Sequence, residues 1–216
     1  MTRILIADDH AVVREGLTAL FERQASLEVV GEADDGEKAV AMAKDLAPDL
    51  VIMDISMPRL NGVEAIRQIC EHNAAVKIIV LSMHSENTIV IEALKAGCHG
   101  YVLKSAIFRE ISAAVEAVAR GERYLSPEIT RIVVEDYVQP AGPHKNTGLK
   151  ALTGRERQIL QLVAEGLSVK EIGRRLEISP KTVDATRRNL SRKLQVQNVA
   201  QLTKFAIREG LTSTEF

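Results

Sequence analysis

The sequence lacks the features that would place it in a membrane or on the export pathway. No apolar run approaches the roughly 18 residues that a membrane-spanning helix needs. Its apolar start, at residues 4–7, is bounded by Arg3 and Asp8, so we expect no signal peptide. Cys70 and Cys98 are its only cysteines. They match no metal-ligand spacing, and we interpret them as small apolar residues of the core. We therefore expect a cytoplasmic protein with no membrane contact.

Charge is distributed unevenly along the 216 residues, although the formal net charge is only -1. Residues 145–216 contain 14 Lys and Arg against 7 Asp and Glu, whereas residues 1–144 contain 14 against 22. An acidic first part joined to a basic second part indicates that only the second part binds a polyanion. A basic face that only contacts solvent would give the same count, so charge alone does not distinguish a polyanion-binding surface from a solvated one.

Short apolar runs alternate with helical patterns over the first 120 or so residues. The apolar runs predict strands at residues 4–7, 29–30, 50–53, 78–81 and 101–103. Apolar residues at helical spacing predict helices at about residues 13–21, 36–47, 61–71, 86–96 and 107–119. Continuous apolar strands separated by helices are typical of a parallel sheet covered on both faces. We predict an α/β doubly wound, five-stranded parallel sheet of the flavodoxin-like type.

The rest of the chain predicts a linker and an all-α domain. Residues 121–148 begin with one short helical pattern and then lose all apolar periodicity, which indicates a linker that is partly helical and then flexible. Helix starts beyond it are marked by Thr153 with Glu156, by Ser168 with Glu171, and by Ser179 before a proline. Four helices are predicted, at about residues 154–165, 169–176, 180–194 and 199–209. The predicted domains are residues 1–120, 121–148 and 149–212.

Polar side chains stand at the carboxyl ends of the predicted strands. Asp8 and Asp9 follow the first strand, Asp54 the third, Ser82 the fourth and Lys104 the fifth. In an open parallel sheet these ends share one edge, and ligands bind there at the point where strand order reverses. Any one of these residues could merely end its strand. Their joint occurrence predicts a shared pocket.

The charges of this pocket indicate its chemistry. Three carboxylates in one cleft repel each other unless a cation is present, and a carboxylate cluster selects a hard ion such as Mg²⁺ over zinc. A carboxylate can act as a nucleophile and form an acyl phosphate. The transfer needs positioning and charge neutralisation. Lys104 can supply an ammonium group for this purpose, and Ser82 can donate a hydrogen bond to a phosphoryl oxygen.

Three segments resemble the receiver domain of bacterial response regulators: ILIADDH at residues 4–10, VIMDISMP at residues 51–58 followed by Asn61 and Gly62, and GYVLK at residues 100–104. The resemblance implies that Asp54 is the phosphoacceptor for a sensor histidine kinase. It implies a Mg²⁺ or Mn²⁺ site formed by Asp8, Asp9, Asp54 and the Ser56 carbonyl. It also implies that Lys104 contacts the phosphoryl group and that Ser82 and Tyr101 form a switch pair, in which the hydroxyl moves toward the phosphoryl group and the ring turns inward.

Two residues depart from the receiver pattern. Ser82 stands where threonine is commoner, but it keeps the hydroxyl. Ser105 replaces the proline that often follows the lysine, so we expect no cis peptide there. His10, His84 and His99 are predicted near the same edge. We expect none of them to transfer a phosphoryl group, because phosphohistidine relays need a helical-bundle context.

Residues 168–194 predict a helix-turn-helix with its turn at residues 177–179. In the second helix one face carries Val183, Thr186, Leu190 and Leu194 at helical spacing. The opposite face is mostly basic and carries Lys181, Asp184, Ala185, Arg188 and Arg192, with Arg187 beside it. An apolar inner face and a basic outer face suit a helix that lies in the DNA major groove, although a solvated basic helix would look the same.

Four segments resemble the LuxR-type DNA-binding domain: LTGRERQIL at residues 152–160, AEGLSVKEI at 164–172, SPKTV at 179–183 and RKL at 192–194. With the receiver, the architecture resembles the NarL/FixJ class of response regulators. The class implies double-stranded DNA, a second copy of the phosphorylated chain and RNA polymerase as partners, with residues 198–208 supporting dimerisation on DNA. Lys181 and Thr182 would contact phosphates, and Asp184, Ala185 and Arg188 would face bases. Thr186 departs from the pattern, since histidine is usual there.

Two other functions stay open at this point. A phosphatase of the aspartyl-phosphate type would use the same pocket, but Ser56 stands where such enzymes usually carry a second aspartate. A regulator that has lost phosphorylation would respond only to protein partners, but the complete set of Asp8, Asp9, Asp54 and Lys104 argues against it. We expect no enzymatic activity beyond the receiver's assistance to its own phosphorylation and dephosphorylation.

Overall fold

The chain divides into two compact units, residues 1–140 and 141–216. The computed structural model describes residues 1–83, 85–138 and 148–212. The first unit has two hydrophobic cores, and the second unit has one of its own. The predicted flexible part of the linker, at residues 139–147, and His84 lie outside the described residues. Among the described helices, none is both long enough and apolar enough to cross a bilayer.

The first unit is an open sheet with helices between its strands. The strands are β1 (Thr2–Ala7), β2 (Leu27–Ala33), β3 (Leu50–Asp54), β4 (Lys77–Ser82), β5 (Gly100–Leu103) and β6 (Tyr124–Leu125). The helices are α1 (Ala11–Phe21), α2 (Gly36–Leu46), α3 (Gly62–His72), α4 (Asn87–Ala96), α5 (Ile107–Ala119) and α6 (Pro127–Val138). All strand pairs are parallel, in the order β2-β1-β3-β4-β5-β6. This confirms the doubly wound parallel sheet, whose strand order reverses between β1 and β3.

The central strands are buried on both faces because their alternate residues enter different cores. Ile4 and Ile6 of β1 belong to the core that includes residues of α1 and α5. Leu5 and Ala7 belong to the core that includes residues of α2, α3 and α4. Burial on both faces explains why these strands appear in the sequence as continuous apolar runs rather than as alternating patterns.

The sheet has six strands, and the prediction of five strands was wrong by one short strand. After α5 the chain turns back at Gly121, whose φ is +86°. The Tyr124 N–H then donates to the His99 carbonyl at 3.2 Å. A strand of two residues leaves no periodicity in the sequence, so no pattern could indicate it. The following helix α6 buries Ile129 in the core of the first unit. The helical part of the predicted linker therefore packs against the sheet domain.

The second unit contains four described helices, as predicted: α7 (Gly154–Ala164), α8 (Val169–Arg175), α9 (Pro180–Leu194) and α10 (Val199–Arg208). The capping boxes of Thr153 and Ser168 are both formed. The Ser179 side chain accepts a hydrogen bond from the Thr182 N–H at the start of α9. A Cβ atom on Gly173 of α8 would lie 2.9 Å from the carbonyl oxygen of Ile178, in the turn before α9. The close approach of the two helices therefore requires glycine there.

Candidate phosphoacceptor site and nucleic-acid interface

The carboxyl edge of the sheet brings the predicted polar residues together. Asp8 and Asp9 directly follow β1, and Asp54 and Ser82 are the last residues of β3 and β4. Lys104 directly follows β5 and begins a short 3-10 helix. Strands β1 and β3 are neighbours in the sheet, but the chain continues from β1 to β2 on one side and from β3 to β4 on the other. In sheets of this type, the diverging connections leave a crevice at the carboxyl ends of the two strands. Asp8 and Asp54 are almost completely buried at this edge.

Lys104 joins two of the carboxylates. Its Nζ lies 2.8 Å from Asp54 Oδ2 and 2.8 Å from Asp8 Oδ2. The side chain of Lys104 is only 10% exposed, and those of Asp8 and Asp54 are 1% and 3% exposed. Burial lowers the pKa of Lys104, but the two carboxylates outweigh burial and raise it overall. The ammonium group is therefore held charged between two negative groups.

Asp54 is buried enough to make its ionisation unfavourable. Burial raises the pKa of Asp54 to about 6, although the Lys104 ammonium lowers it and Asp8 raises it again. Asp54 Oδ1 accepts a hydrogen bond of 2.7 Å from the Ile55 N–H. At neutral pH the carboxylate is mostly ionised, and a further cation beside it would favour the charged form.

The carboxylates fit a hard divalent cation. Ligand atoms of Asp8, Asp9, Asp54 and His10 all lie within 4.8 Å of one another. Among the described residues, Asp8 Oδ2 and Asp9 Oδ1 are buried without a hydrogen bond. Lys104 Nζ lies 2.8 Å from Asp8 Oδ2, and His10 Nδ1 lies 2.6 Å from Asp9 Oδ1. A cluster of aspartate oxygens suits Mg²⁺ or Mn²⁺.

The sequence pattern did not assign His10 to this cluster. The His10 N–H donates to Asp8 Oδ1 at 2.9 Å, and its ring approaches the carboxylate of Asp9. Burial works to lower the pKa of His10, but the charges of Asp9 and Asp8 outweigh burial and raise it. Adjacency to Asp9 was the only signal in the sequence. His99, by contrast, is not at this edge, because its Nδ1 accepts from the Ile78 N–H near the start of β4.

The loop after β3 is closed tightly over Asp54. The Gly62 N–H donates to the Ile55 carbonyl at 2.8 Å. A Cβ atom on Gly62 would lie 2.0 Å from the Asp54 carbonyl oxygen, so no other residue fits there without a shift. Asn61 caps α3 by accepting from the Glu64 N–H. Ser56 is half-buried in this loop, and its role as a carbonyl ligand stays a prediction.

Ser82 and Tyr101 are in contact inside the sheet domain. Both are completely buried, and their side chains share a hydrogen bond. Burial raises the pKa of Tyr101 above its usual range, which the hydrogen bond with Ser82 partly offsets. The tyrosine ring therefore already points inward in this conformation. As expected from Ser105, no peptide bond in the described part of the chain is cis.

Helix α9 separates an inner face from an outer face as predicted. Val183 and Leu190 are completely buried, and Thr186 and Leu194 are half-buried. On the outer side five predicted DNA-contacting residues are exposed: Lys181, Thr182, Ala185, Arg188 and Arg192. The other two, Asp184 and Arg187, are half-buried. The helix thus presents a mostly basic surface to the solvent.

Two family models match the chain in the order of its two units. Residues 4–116 match the response regulator receiver domain, and residues 150–206 match the bacterial regulatory proteins of the luxR family. The chain is a LuxR-family response regulator. Both family assignments made from the sequence are therefore confirmed.

Named relatives match over the whole length of the chain. Response regulator UvrY of Escherichia coli K12 is 37% identical over 215 residues, which cover 100% of this chain and 98% of that protein. The transcriptional regulatory protein LiaR of Bacillus subtilis is 38% identical and covers 99% of this chain and 100% of that protein. A solved structure of RcsB from Salmonella enterica serovar Typhimurium, bound to promoter rprA with phosphomimetic BeF3-, covers 94% of this chain and 97% of that chain at 28% identity, with a TM-score of 0.64.

The response regulator's outward-facing arginines are engaged with side chains of their own helix. Arg187 Nη2 lies 2.9 Å from Asp184 Oδ1, and Arg188 Nη2 lies 3.4 Å from Asp184 Oδ2. Arg192 donates to the Asn189 side-chain oxygen at 2.7 Å. Asp184 therefore neutralises part of the basic surface formed by the two neighbouring arginines.

A buried carboxylate, missed by sequence reasoning beyond its capping role, ties α9 to α7 in this response regulator. Lys193 Nζ lies 2.8 Å from both oxygens of Glu156, and Asn189 Nδ2 donates to Glu156 Oε1 at 2.9 Å. Burial works to raise the pKa of Glu156, but hydrogen bonds from Lys193 and the Thr153 N–H outweigh burial and lower it. One carboxylate therefore caps α7 and also fixes the C-terminal half of α9.

Proposed function

We propose that this response regulator accepts a phosphoryl group on Asp54 from a partner sensor histidine kinase. Phosphorylation then controls homodimerisation and sequence-specific DNA binding, and so regulates transcription. The observation that carries the proposal is the position of Asp54, a buried carboxylate that lies 2.8 Å from the Lys104 ammonium beside two further aspartates. This combination offers a nucleophile, a fixed positive charge and the ligands for a divalent cation at one edge of the sheet.

The chain's own residues would perform most of the transfer. An Asp54 carboxylate oxygen attacks the phosphorus atom of the phosphohistidine, the P–N bond breaks, and the histidine of the kinase leaves while Asp54 becomes an acyl phosphate. Lys104 balances the charge of the phosphoryl oxygens, and the Ser82 hydroxyl can donate to one of them. A divalent cation held by Asp8, Asp9, Asp54 and the Ser56 carbonyl would neutralise the remaining negative charge.

The contact between Ser82 and Tyr101 suggests how the signal starts. Ser82 shares its hydrogen bond with Tyr101 in the described conformation. A phosphoryl group on Asp54 would compete for the Ser82 hydroxyl and so change the environment of Tyr101. The same residues would assist hydrolysis of the acyl phosphate, which returns the receiver to its starting state.

The outer face of α9 would read DNA. Lys181 and Thr182, at the helix start, would contact phosphates, and Arg187 and Arg192 would add positive charge along the groove. Asp184, Ala185 and Arg188 would face the base edges. The RcsB structure bound to promoter rprA supports DNA as the ligand, since RcsB is a related chain. Contact with RNA polymerase would then convert DNA binding into transcriptional control.

Phosphorylation by acetyl phosphate tests this proposal directly. Full-length protein incubated with acetyl phosphate and Mg²⁺ should gain one phosphoryl group by intact mass spectrometry. Asp54→Asn should prevent the gain, because its amide is not a nucleophile, and EDTA should also prevent it. Asp45→Asn, an exposed aspartate of α2, is the matched control and should be labelled like the wild type. Undiminished labelling of Asp54→Asn would sink the site assignment.

A further inference from the structure

Helix α9 carries a single acidic residue among basic ones. Asp184 is its one carboxylate, whereas its basic residues number five: Lys181, Arg187, Arg188, Arg192 and Lys193. The two oxygens of Asp184 contact different arginines, since Oδ1 lies 2.9 Å from Arg187 Nη2 and Oδ2 lies 3.4 Å from Arg188 Nη2. Arg188 Nε also donates to the main-chain carbonyl of Asp184 at 3.4 Å. One residue thus holds both arginines against their own helix.

The position of Asp184 gives its charge little to do for the fold. The side chain of Asp184 is 39% exposed, and those of Arg187 and Arg188 are 36% and 73% exposed. Ion pairs at such exposure contribute little to stability, because water and salt screen them. Asp184 is also the fifth residue of α9, beyond the first turn in which a carboxylate stabilises the helix dipole. Its charge therefore acts mainly on what α9 binds.

We propose that Asp184 determines DNA specificity by favouring a cytosine and by weakening binding to DNA of other sequence, and this proposal rests on the proposed function of α9. Phosphates attract arginines wherever α9 contacts DNA, whatever the sequence. To reach a phosphate, Arg187 or Arg188 has to leave Asp184. The carboxylate then lies without that partner beside a polyanion, which repels it. DNA that offers Asp184 no hydrogen-bond donor is therefore bound more weakly.

Cytosine is the base whose major-groove edge suits a carboxylate. Its N4 amino group donates there, and no acceptor lies beside it on the same base. Adenine also has an amino donor, but its N7 acceptor repels a carboxylate, whereas guanine and thymine present acceptors and no donor. Asp184 lies in the N-terminal half of α9, the part of a recognition helix whose residues contact base edges.

The ion pair with Arg188 makes the reading of two bases interdependent. Arg188 follows Asp184 by four residues, so the two side chains lie on the same side of α9. A guanidinium can donate two hydrogen bonds to a guanine. At a site that offers both a guanine and a cytosine, Arg188 and Asp184 separate and each gains a new partner, while Arg187 can keep its contact with Asp184. At other sites at least one of the separated charges stays unpaired.

Binding of the full-length protein to two duplex probes tests this role of Asp184. One probe is the sequence that wild type enriches from a randomised duplex library, and the other is a randomised duplex of the same length. Fluorescence anisotropy at about 0.1 M salt gives both Kd values. Asp184→Ala should lower the Kd for the randomised duplex about three- to tenfold and steepen its salt dependence by roughly 1 per monomer, because arginines are released to phosphates. The enriched sequence should gain less, so the ratio of the two Kd values should fall.

The base preference gives a second readout, which a change of net charge alone does not move. Wild type should enrich a cytosine at one position of each half-site, and Asp184→Ala should lose that preference. Asp184→Asn should shift the preference toward adenine, because an amide can pair with both the amino group and N7 of that base.

Two controls separate the release of the arginines from the loss of a negative charge. Glu177→Gln removes the same charge from an exposed side chain before α9, and it should keep the cytosine preference and change the randomised-duplex Kd less than Asp184→Ala does. In a chain that also carries Arg187→Gln and Arg188→Gln, Asp184→Ala should lower the Kd far less than it does alone, because no partner of Asp184 remains to be released.

The outcomes distinguish failure of this proposal from failure of the proposed function. An unchanged base preference in Asp184→Ala, or a gain in randomised-duplex affinity no larger than that of Glu177→Gln, would overturn the role of Asp184 while leaving the proposed function intact. A wild type with a base preference but no response to acetyl phosphate would contradict the proposed function alone, since the comparison of variants needs no phosphorylation. A wild type that enriches no sequence would overturn both.

Discussion

Among single residues, Asp54 and Lys104 set the character of the phosphoacceptor site. Burial raises the pKa of Asp54 to about 6, and the ammonium of Lys104 at 2.8 Å limits that rise. The site therefore holds its nucleophile in a place where negative charge is unfavourable until more positive charge arrives. This is the physical reason why the proposed divalent cation and the proposed phosphoryl transfer would share one cluster.

The raised pKa of Asp54 predicts a pH-dependent cost to stability in the absence of metal. The folded state keeps the Asp54 proton up to about pH 6, whereas the unfolded chain loses it near 3.8. The free energy of unfolding therefore falls as pH rises from about 4 to about 6 and stays reduced above that. With EDTA at pH 7, Asp54→Asn should be more stable than wild type by up to about 3 kcal/mol.

Urea unfolding at pH 7 and pH 4 measures this effect. The advantage of Asp54→Asn should shrink toward zero at pH 4, where the wild-type carboxyl is protonated in the folded state. Added Mg²⁺ should stabilise wild type more than Asp54→Asn at pH 7. If Asp54→Asn is less stable than wild type at pH 7 by the same margin as at pH 4, then ionisation of Asp54 does not lower the stability of the folded state.

We expect Arg188 to contribute base specificity in DNA binding and Lys181 to contribute affinity for DNA of any sequence. Arg188 faces outward. If it leaves its ion pair with Asp184, it can donate two hydrogen bonds to a guanine, which typically gives about 1–3 kcal/mol of discrimination against other bases. Arg188→Ala should relax the base preference at one position of each half-site. Lys181→Ala should weaken binding to all sequences about equally and lower the salt-dependence slope by roughly 1 per monomer.

Binding series across operator variants at several salt concentrations make this measurement. Arg188→Lys is the matched control, since it keeps the charge but loses the planar fork that pairs with two acceptors. It should therefore relax the preference nearly as much as Arg188→Ala while losing less affinity. Uniform loss of affinity in Arg188→Ala, with an intact preference profile, would mean that α9 lies in the groove in another orientation.

Among helices and strands, the sequence predicted the elements whose signals are local. The starts of α7, α8 and α9 could be read because Thr153, Ser168 and Ser179 cap them through residues only three positions away. The ends of β1, β3, β4 and β5 could be read because each apolar run stops at a polar residue. The pocket followed from these ends, since parallel strands share one carboxyl edge.

The remaining features depend on contacts that are distant in sequence. The pairing of β6 is determined by β5, and Tyr124 and Leu125 alone carry no strand pattern. The link from Glu156 to Lys193 spans 37 positions, so a single sequence shows two charged residues and no relation between them. The packing of α6 on the receiver core likewise depends on Ile129, which looks like any apolar residue of a short amphipathic helix.

The Glu156 link between α7 and α9 should be needed to hold the recognition helix in place. Glu156→Gln keeps the size but removes the charge that Lys193 contacts at 2.8 Å. We expect local opening of α9 to become easier by about 1–3 kcal/mol. Hydrogen exchange of the α9 amides in the full-length protein measures this. Glu171→Gln, the equivalent position in the exposed capping box of α8, should leave α9 protection unchanged, and equal effects of the two variants would contradict the link.

At the scale of the whole molecule, the two units carry opposite net charges and contain different proposed sites. Residues 1–144 carry a net charge of -8 and contain the proposed phosphoacceptor site, whereas residues 145–216 carry +7 and contain α9. The positive net charge of the second unit favours binding to a polyanion. The proposed signal, a phosphoryl group on Asp54, therefore arises in one unit, whereas the proposed DNA-binding surface lies in the other.

The central claim, that phosphorylation of Asp54 controls DNA binding, is tested most directly by one affinity measurement. The ligand is a DNA fragment recovered by genome-wide mapping of bound sites, and fluorescence anisotropy gives the Kd with and without acetyl phosphate and Mg²⁺. Phosphorylation should lower the wild-type Kd by about 5- to 150-fold, the usual range of coupling between sites. Asp54→Asn and a fragment starting at residue 148 should not respond. A wild-type Kd that stays constant, or an Asp54→Asn Kd that falls equally, would contradict the account.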